Sequence, residues 1–191
     1  MKSRVNPFAS RHIESLPYQF TALSLNAVME RLAAQRYRGA IIGPCGSGKT
    51  TLLETIGRRL EQTGFCCCYL YLKKENRPVY TPWPKPLSGR DAANTAFLID
   101  GTEQLSRPSW FGLYFRIRAA GAIVVTTHGK SLLPPLVHTR TSPALLHDLV
   151  RQLTGKAETI SEPAIVDLYR RHQGDIRQAL RELYDVWAAR A

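Results

Sequence analysis

The residues whose types and spacing point most clearly to a chemical function lie in one short stretch, Gly43-Pro44-Cys45-Gly46-Ser47-Gly48-Lys49-Thr50. It fits the pattern Gly-x-x-x-x-Gly-Lys-Ser/Thr without mismatch, in which backbone N–H groups surround phosphate. Lys49 would reach the β- and γ-phosphates of a nucleotide, and the Thr50 hydroxyl would be a Mg²⁺ ligand. The alternative is a chance glycine-rich turn. We predict a phosphate-binding loop made of Gly43, Pro44, Cys45, Gly46, Ser47, Gly48, Lys49, Thr50 and Thr51.

The segments on either side of this loop support the prediction. Ala40-Ile41-Ile42 is a short apolar run that predicts a strand leading into the loop. Residues 51–60 carry apolar side chains at helical spacing and predict a helix that leaves it. A helix in this position points the positive end of its dipole, and its first free N–H groups, at the phosphate.

A carboxylate follows another apolar run, Ala96-Phe97-Leu98-Ile99, at Asp100. At the end of a strand that comes after a phosphate-binding loop, such a carboxylate helps to hold Mg²⁺. Many ATPases with this loop place a glutamate directly after the aspartate to polarise the attacking water, but Gly101 stands there in this chain. The nearest acid is Glu103, which we predict to be catalytic. The alternative is that Glu103 only stabilises the start of a helix.

A third group of polar residues follows the apolar run Ala122-Ile123-Val124-Val125, which predicts another buried strand. A polar side chain at the tip of the strand beside the loop strand can contact the γ-phosphate of a nucleotide. Thr127 and His128 are the candidates for this contact. A purely structural histidine at the end of a strand is the alternative.

The other segments define the elements that must position these residues. We predict a first helix over 21–35, a strand over 65–72 that is buried on both faces, a helix over 110–120, and a short strand over 134–139. Three further helices are predicted after Ser142, after Ser161 and over 176–189, with Asp175 as an N-cap. The predicted fold is α/β, a three-layer parallel sheet, and it divides into an N-terminal arm (1–20), a nucleotide-binding core (21–140) and a three-helix lid (141–191).

The chain has 191 residues, a formal net charge of +11 and a pI near 9.9. Such a charge favours anionic partners, namely nucleic acid or an acidic protein surface, although the arginines are scattered along the chain. No apolar run is long enough to cross a membrane and no signal-peptide core is present, so we expect a cytoplasmic protein. Cys66, Cys67 and Cys68 are adjacent, which does not suit zinc, and we expect buried strand thiols instead.

The segment His172-Gln173-Gly174-Asp175-Ile176-Arg177-Gln178-Ala179-Leu180 resembles the sensor-2 segment of clamp loaders and origin-recognition ATPases. With the order of strands and helices above, the chain resembles an AAA+ ATPase, and its layout is similar to the ATPases that regulate transposition and secretion. The resemblance implies that Arg177 reaches the γ-phosphate. It also implies an arginine acting in the site of a neighbouring subunit. Arg116 and Arg118 are the best-placed candidates, with Arg140 in reserve, and a solvated basic face is the alternative.

The expected function is therefore Mg²⁺-dependent binding and hydrolysis of ATP by a small AAA+-like switch, with ATP and ADP as ligands and a homo-oligomer as its assembly. The preference for adenine comes from the resemblance alone. A non-hydrolysing nucleotide-binding scaffold is the first alternative, and the glycine after Asp100 favours it. An ABC-type ATPase is a further alternative, since a strand ending in Thr-His resembles the switch histidine of those proteins. The lack of an LSGGQ-like segment before Asp100 and the predicted lid argue against it.

Overall fold

A computed structural model describes residues 6–20, 23–72, 89–155 and 160–189. The chain forms two compact units. One contains the described parts of Met1–Gln19 and Arg140–Ala191 together with Pro44–Gly48. The other contains the described parts of Phe20–Gly43 and Lys49–Thr139. The predicted arm and lid thus both fall in the first unit, and a surface excursion predicted around Trp83 lies outside the described residues.

The strands are β1 (Arg38–Ile42), β2 (Cys66–Tyr71), β3 (Thr95–Asp100), β4 (Ala122–Thr127) and β5 (Pro135–His138). The α-helices of the described residues are α1 (Ser10–Glu14), α2 (Leu25–Ala34), α3 (Lys49–Gln62), α4 (Gly89–Ala93), α5 (Arg107–Ile117), α6 (Pro143–Thr154), α7 (Glu162–Arg171) and α8 (Ile176–Ala188). A 3₁₀ turn, Thr102–Gln104, follows β3 after Gly101.

The five strands form one parallel sheet in the order β2-β3-β4-β1-β5. Side chains alternate between the two faces of β3, so that Phe97 and Ile99 pack with α5 while Leu98 lies against α3 at Gly57. Helices therefore flank the sheet on both faces, and the prediction of an α/β fold with a parallel sheet is confirmed. Because parallel strands have their carboxyl ends at one edge, β1, β3 and β4 deliver their following loops to the same edge.

The strand predicted over 65–72 is present as β2, but the prediction that both of its faces are buried was wrong. β2 pairs only with β3 among the described strands, and its residues are half-buried or exposed. A continuous apolar run is typical of a central strand, yet here it forms the edge of the sheet that the described strands make. The predicted burial of the thiols fails for the same reason, since Cys66 is exposed and Cys67 and Cys68 are only partly buried.

Helix α5 begins three residues before the predicted residue 110, and local chemistry explains the shift. The Ser106 hydroxyl accepts a hydrogen bond from Ser109 N at 3.3 Å, and Pro108 lies in the first turn, where a missing N–H costs nothing. On its buried side Trp110, Leu113 and Ile117 join the sheet residues in one apolar core.

The three C-terminal helices are present as predicted and form the core of the first unit. This core joins α6, α7 and α8 to Phe8, whose side chain is 1% exposed and meets Trp187 edge to face, with ring centroids 5.9 Å apart. The Asp175 carboxylate accepts from Gln178 N at 3.1 Å, which confirms the predicted N-cap of α8. None of the described helices has both the length and the apolarity that a bilayer crossing requires.

Candidate functional site

The glycine-rich loop joins β1 to α3, as its flanking patterns predict. Gly46 and Gly48 have φ values of +67° and +80°, in the left-handed region where residues with a side chain are strained. The Ser47 hydroxyl donates to Pro44 O at 2.8 Å and is nearly inaccessible to solvent, so it braces the loop from within. These two glycines and this serine give Pro44–Gly48 a defined conformation.

Lys49 is the first residue of α3 and its side chain is buried, with 8% of the residue exposed. The Nζ donates to Gly43 O at 2.9 Å. Gly43 N in turn donates to Thr127 O at 3.1 Å, which ties the end of β1 to the end of β4. The Lys49 ammonium is thus held at the carboxyl end of the sheet, where the acceptor described for it is a neutral backbone carbonyl.

Two residues predicted as metal ligands lie together although 50 positions separate them. The Thr50 hydroxyl, on the first turn of α3, donates to Asp100 Oδ2 at 2.9 Å, and Asp100 ends β3. A hydroxyl and a carboxylate form a set of hard oxygen donors, which is what Mg²⁺ prefers. The neighbouring Thr51 is half-buried, and its carbonyl accepts from Thr55 Oγ1 at 2.7 Å.

The second oxygen of Asp100 has a partner that the sequence did not reveal. The Thr126 hydroxyl donates to Asp100 Oδ1 at 2.5 Å and accepts from Gly101 N at 2.9 Å. The Thr126 carbonyl accepts from the Thr102 hydroxyl at 2.8 Å. Thr126 is 1% exposed and therefore fixes the carboxylate from the protein interior. Its place in a Thr-Thr pair at a strand end was the available signal, but only the pairing of β3 with β4 tells the two threonines apart.

Glu103 and His128, predicted separately, are neighbours in the structure. His128 Nε2 lies 3.3 Å from Glu103 Oε1, and their side chains are 42% and 23% exposed, respectively. Glu103 belongs to the 3₁₀ turn after β3, and His128 follows β4. Thr127 is different, because it is buried and its hydroxyl accepts only a long bond, 3.5 Å, from Gly129 N among the hydrogen bonds described for it. Of these two predicted residues, His128 is therefore the one whose side chain lies beside Glu103.

Gly101 explains why no acid follows Asp100 directly. Its φ is +86°, and a Cβ placed on it would lie 2.7 Å from the backbone oxygen of Leu72. A side chain at this position would need both a strained conformation and a movement of the neighbouring backbone. The first acid after β3 can stand only farther along the chain, and here it is Glu103.

In the first unit, the loop lies against the start of α8. A Cβ added to Gly46 would lie 2.1 Å from Asp175 Oδ1 and 2.9 Å from Ile176 N. Arg177 is exposed on the first turn of this helix. Asp175 and Ile176, in the middle of the segment that resembles sensor-2, therefore lie beside the loop.

The three arginines predicted to act on a neighbouring subunit are all exposed. Arg116 ends α5, and Arg118 follows it with its guanidinium carbon 4.7 Å from the centroid of the Phe115 ring. Arg140 follows β5. Their action in a second subunit stays a prediction.

No protein-family model matches this chain, and no curated protein matches it either. Among the described residues, no cluster of three or more histidine, cysteine, aspartate or glutamate side chains could hold a metal ion. A divalent ion would therefore depend on the Thr50 and Asp100 oxygens, with water and phosphate completing its shell, as is usual for Mg²⁺.

Proposed function

We propose that this protein binds Mg²⁺–ATP at residues 43–51 and hydrolyses it slowly, as an AAA+-like switch. The observation that carries the proposal is the 2.9 Å contact between the Thr50 hydroxyl and the Asp100 carboxylate. A chance glycine-rich turn gives no reason for a carboxylate from another strand to meet the residue after the lysine. A phosphate-binding loop does, because the same two side chains share one metal ion.

The loop would bind the triphosphate through its backbone N–H groups and Lys49. The Lys49 ammonium now donates to the neutral Gly43 carbonyl at 2.9 Å. A phosphate oxygen is a stronger acceptor, because its negative charge attracts the ammonium directly and a carbonyl oxygen carries only a partial charge. The buried position of the ammonium limits competition from water, so exchange of the carbonyl for phosphate favours binding.

Mg²⁺, when bound, would neutralise charge on the β- and γ-phosphates. Thr50 and Asp100 fit it because both supply oxygen and both are already held in place. Thr126 contributes by fixing Asp100 Oδ1, which leaves Oδ2 directed at Thr50. This division of the two carboxylate oxygens supports a metal role for Asp100.

Glu103 would orient and deprotonate the attacking water, and His128 would hold the Glu103 carboxylate. The 3.3 Å separation of Glu103 Oε1 from His128 Nε2 supports this pairing, and the exposure of both side chains leaves them reachable by water. Arg177 would bind the γ-phosphate beside residues 44–48 and couple its presence to a change of the lid, which a partner would recognise.

Calorimetry with ATP and Mg²⁺ and a phosphate-release assay test the proposal. We expect Lys49→Ala to abolish ATP binding and Asp100→Asn to weaken only the Mg²⁺-dependent part of it. Glu103→Gln should bind ATP like the wild type but turn it over about a hundredfold more slowly, the lower end of the effect of a general base. Arg58→Gln, an exposed arginine on α3 away from the loop, is the matched control. A wild-type protein that binds neither ATP nor ADP would refute the proposal.

A second candidate is a scaffold that binds nucleotide without hydrolysing it. Gly101 favours it, because its positive φ and the nearby Leu72 carbonyl keep an acid from the position that normally activates water. This function predicts tight binding of ATP with no measurable turnover. It also predicts that Glu103→Gln changes neither quantity, which separates it from the first proposal.

A further inference from the structure

Two phenylalanines on α5 are far more exposed than their chemistry favours. Phe111 and Phe115 are 59% and 68% exposed, the largest values among the exposed large hydrophobic residues that the structure describes. They are four residues apart, so they lie on one side of the helix on successive turns. The opposite side of α5 already supplies Trp110, Leu113 and Ile117 to the core. The packing of the fold therefore does not account for this pair.

The surroundings of the pair are basic. Arg107, Arg116 and Arg118 are exposed at the two ends of α5. Residues 104–147 contain five lysines and arginines and no aspartate or glutamate. The acid that precedes them, Glu103, is paired with His128. We call Phe111 and Phe115, with these three arginines, the aromatic ridge; its positive charge favours a negative partner.

The geometry of the ridge suits flat rings. The Arg118 guanidinium carbon lies over the Phe115 ring, 4.7 Å from its centroid, so a cation already contacts one face of this ring. Gly112, next to Phe111 on α5, has open space where a side chain would be, with no atom within 4 Å of an added Cβ. A planar group can therefore approach the helix closely beside the rings.

We propose that the aromatic ridge binds single-stranded nucleic acid, with bases stacked on Phe111 and Phe115 and phosphates held by the three arginines. Successive aromatic rings in a positively charged setting are the means by which proteins bind single strands without sequence preference. The bases of a duplex are stacked on each other, and a duplex would use the arginines but not the rings. An acidic protein would match the charge, but it would make no particular use of the exposed rings or of the open space at Gly112. The ridge lies outside residues 43–51, and the proposal does not rest on the binding of ATP.

Fluorescence anisotropy of the full chain with a fluorescein-labelled 20-nucleotide oligo-dT tests the proposal, over 50 to 200 mM salt. Phe111→Ala/Phe115→Ala should weaken binding at least tenfold, because each stacked base contributes about this much by alanine substitution. Phe111→Tyr/Phe115→Tyr keeps the rings and should bind like the wild type. Arg116→Gln/Arg118→Gln should lower the slope of log K against log salt by roughly 1.4, about 0.7 for each phosphate on a single strand.

Two control variants separate stacking from general stickiness and from net charge. Leu132→Ala removes another exposed apolar side chain, and Arg58→Gln removes one charge from a different helix; both should bind within twofold of the wild type, with only a small change of slope for the latter. The alanine pair is exposed, so its circular dichroism spectrum should match that of the wild type. Absence of binding at 50 mM salt, equal affinity for a duplex of the same length, or an alanine pair within twofold of the wild type would each overturn the proposal. A loss of affinity with Leu132→Ala as large as that of the alanine pair would also overturn the proposal.

Discussion

Replacement of Thr126 by valine is the perturbation whose effect the structure defines best. Valine has nearly the shape of threonine but no hydroxyl, so the change removes two hydrogen bonds and leaves packing almost intact. One is the bond to Asp100 Oδ1 at 2.5 Å, and the other comes from Gly101 N at 2.9 Å. The site is 1% exposed, so water cannot readily replace the lost hydroxyl.

The expected loss of unfolding free energy follows from these two bonds. A hydrogen bond to a charged group contributes about 1.5–3 kcal/mol, and a buried N–H left without a partner costs about 1–3 kcal/mol. Asp100 is only half-buried, so its oxygen can recover part of its loss from water. We therefore expect about 2–3 kcal/mol for Thr126→Val. The Asp100 carboxylate would also lose its fixed orientation, so Mg²⁺-dependent ATP affinity should fall.

Urea unfolding followed by circular dichroism measures the first effect, and calorimetry with and without Mg²⁺ measures the second. Thr126→Ser keeps the hydroxyl and loses one methyl group, so it should cost about 1 kcal/mol and preserve the Mg²⁺ dependence. Thr127→Val changes the adjacent buried threonine, whose hydroxyl accepts one long bond of 3.5 Å, and should cost less than Thr126→Val. A free energy of unfolding for Thr126→Val within about 0.5 kcal/mol of the wild type, a typical surface effect, would contradict this role of the hydroxyl. Equal destabilisation of the serine variant would contradict it as well.

Three more outcomes are expected. Gly46→Ala should destabilise the protein by about 1–3 kcal/mol in thermal unfolding, because Gly46 has a φ of +67° and the new Cβ would lie 2.1 Å from the Asp175 carboxylate. Gly112→Ala, on helix α5 with open space around it, should instead stabilise the protein by about 0.5–1 kcal/mol, and equal effects of the two variants would contradict this. The Arg38 guanidinium donates to Arg118 O at 3.1 Å and to Gly121 O at 2.9 Å, and these bonds hold the end of α5. Arg38→Met should therefore lower the free energy of unfolding in urea by about 2–3 kcal/mol, and an unchanged urea midpoint would argue against this role. Burial, reinforced by the charge of Glu61, raises the pKa of Cys67 to about 11. Alkylation of Cys67 by iodoacetamide, located by mass spectrometry, should therefore be slow at pH 8 and accelerate as the pH approaches 11, and rapid labelling at pH 8 would be the contrary result.

Local patterns predicted the elements that carry the candidate site with good accuracy. The loop 43–50, the strand ending at Asp100 and the cap at Asp175 could be predicted because glycine conformation, apolar periodicity and capping act over a few residues. The same patterns gave the wrong burial for β2, because a run of apolar residues looks the same in the sequence whether the strand lies at the centre or at the edge of the sheet. Position in the sheet depends on which strands pair, and pairing is not a local property.

The sequence by itself determined which groups could do chemistry: a lysine and a threonine after glycines, an acid after a strand, and a polar pair after the next. Tertiary structure decided which of them meet. The parallel order β3-β4-β1 brings Asp100 to Thr50 and selects Thr126, rather than Thr127, as the residue that fixes the carboxylate. It also places Glu103 beside His128 and leaves Phe111 and Phe115 in solvent. The physical reason is that distances between residues far apart in the chain follow from strand order and register, which the alternation of apolar and polar residues does not encode.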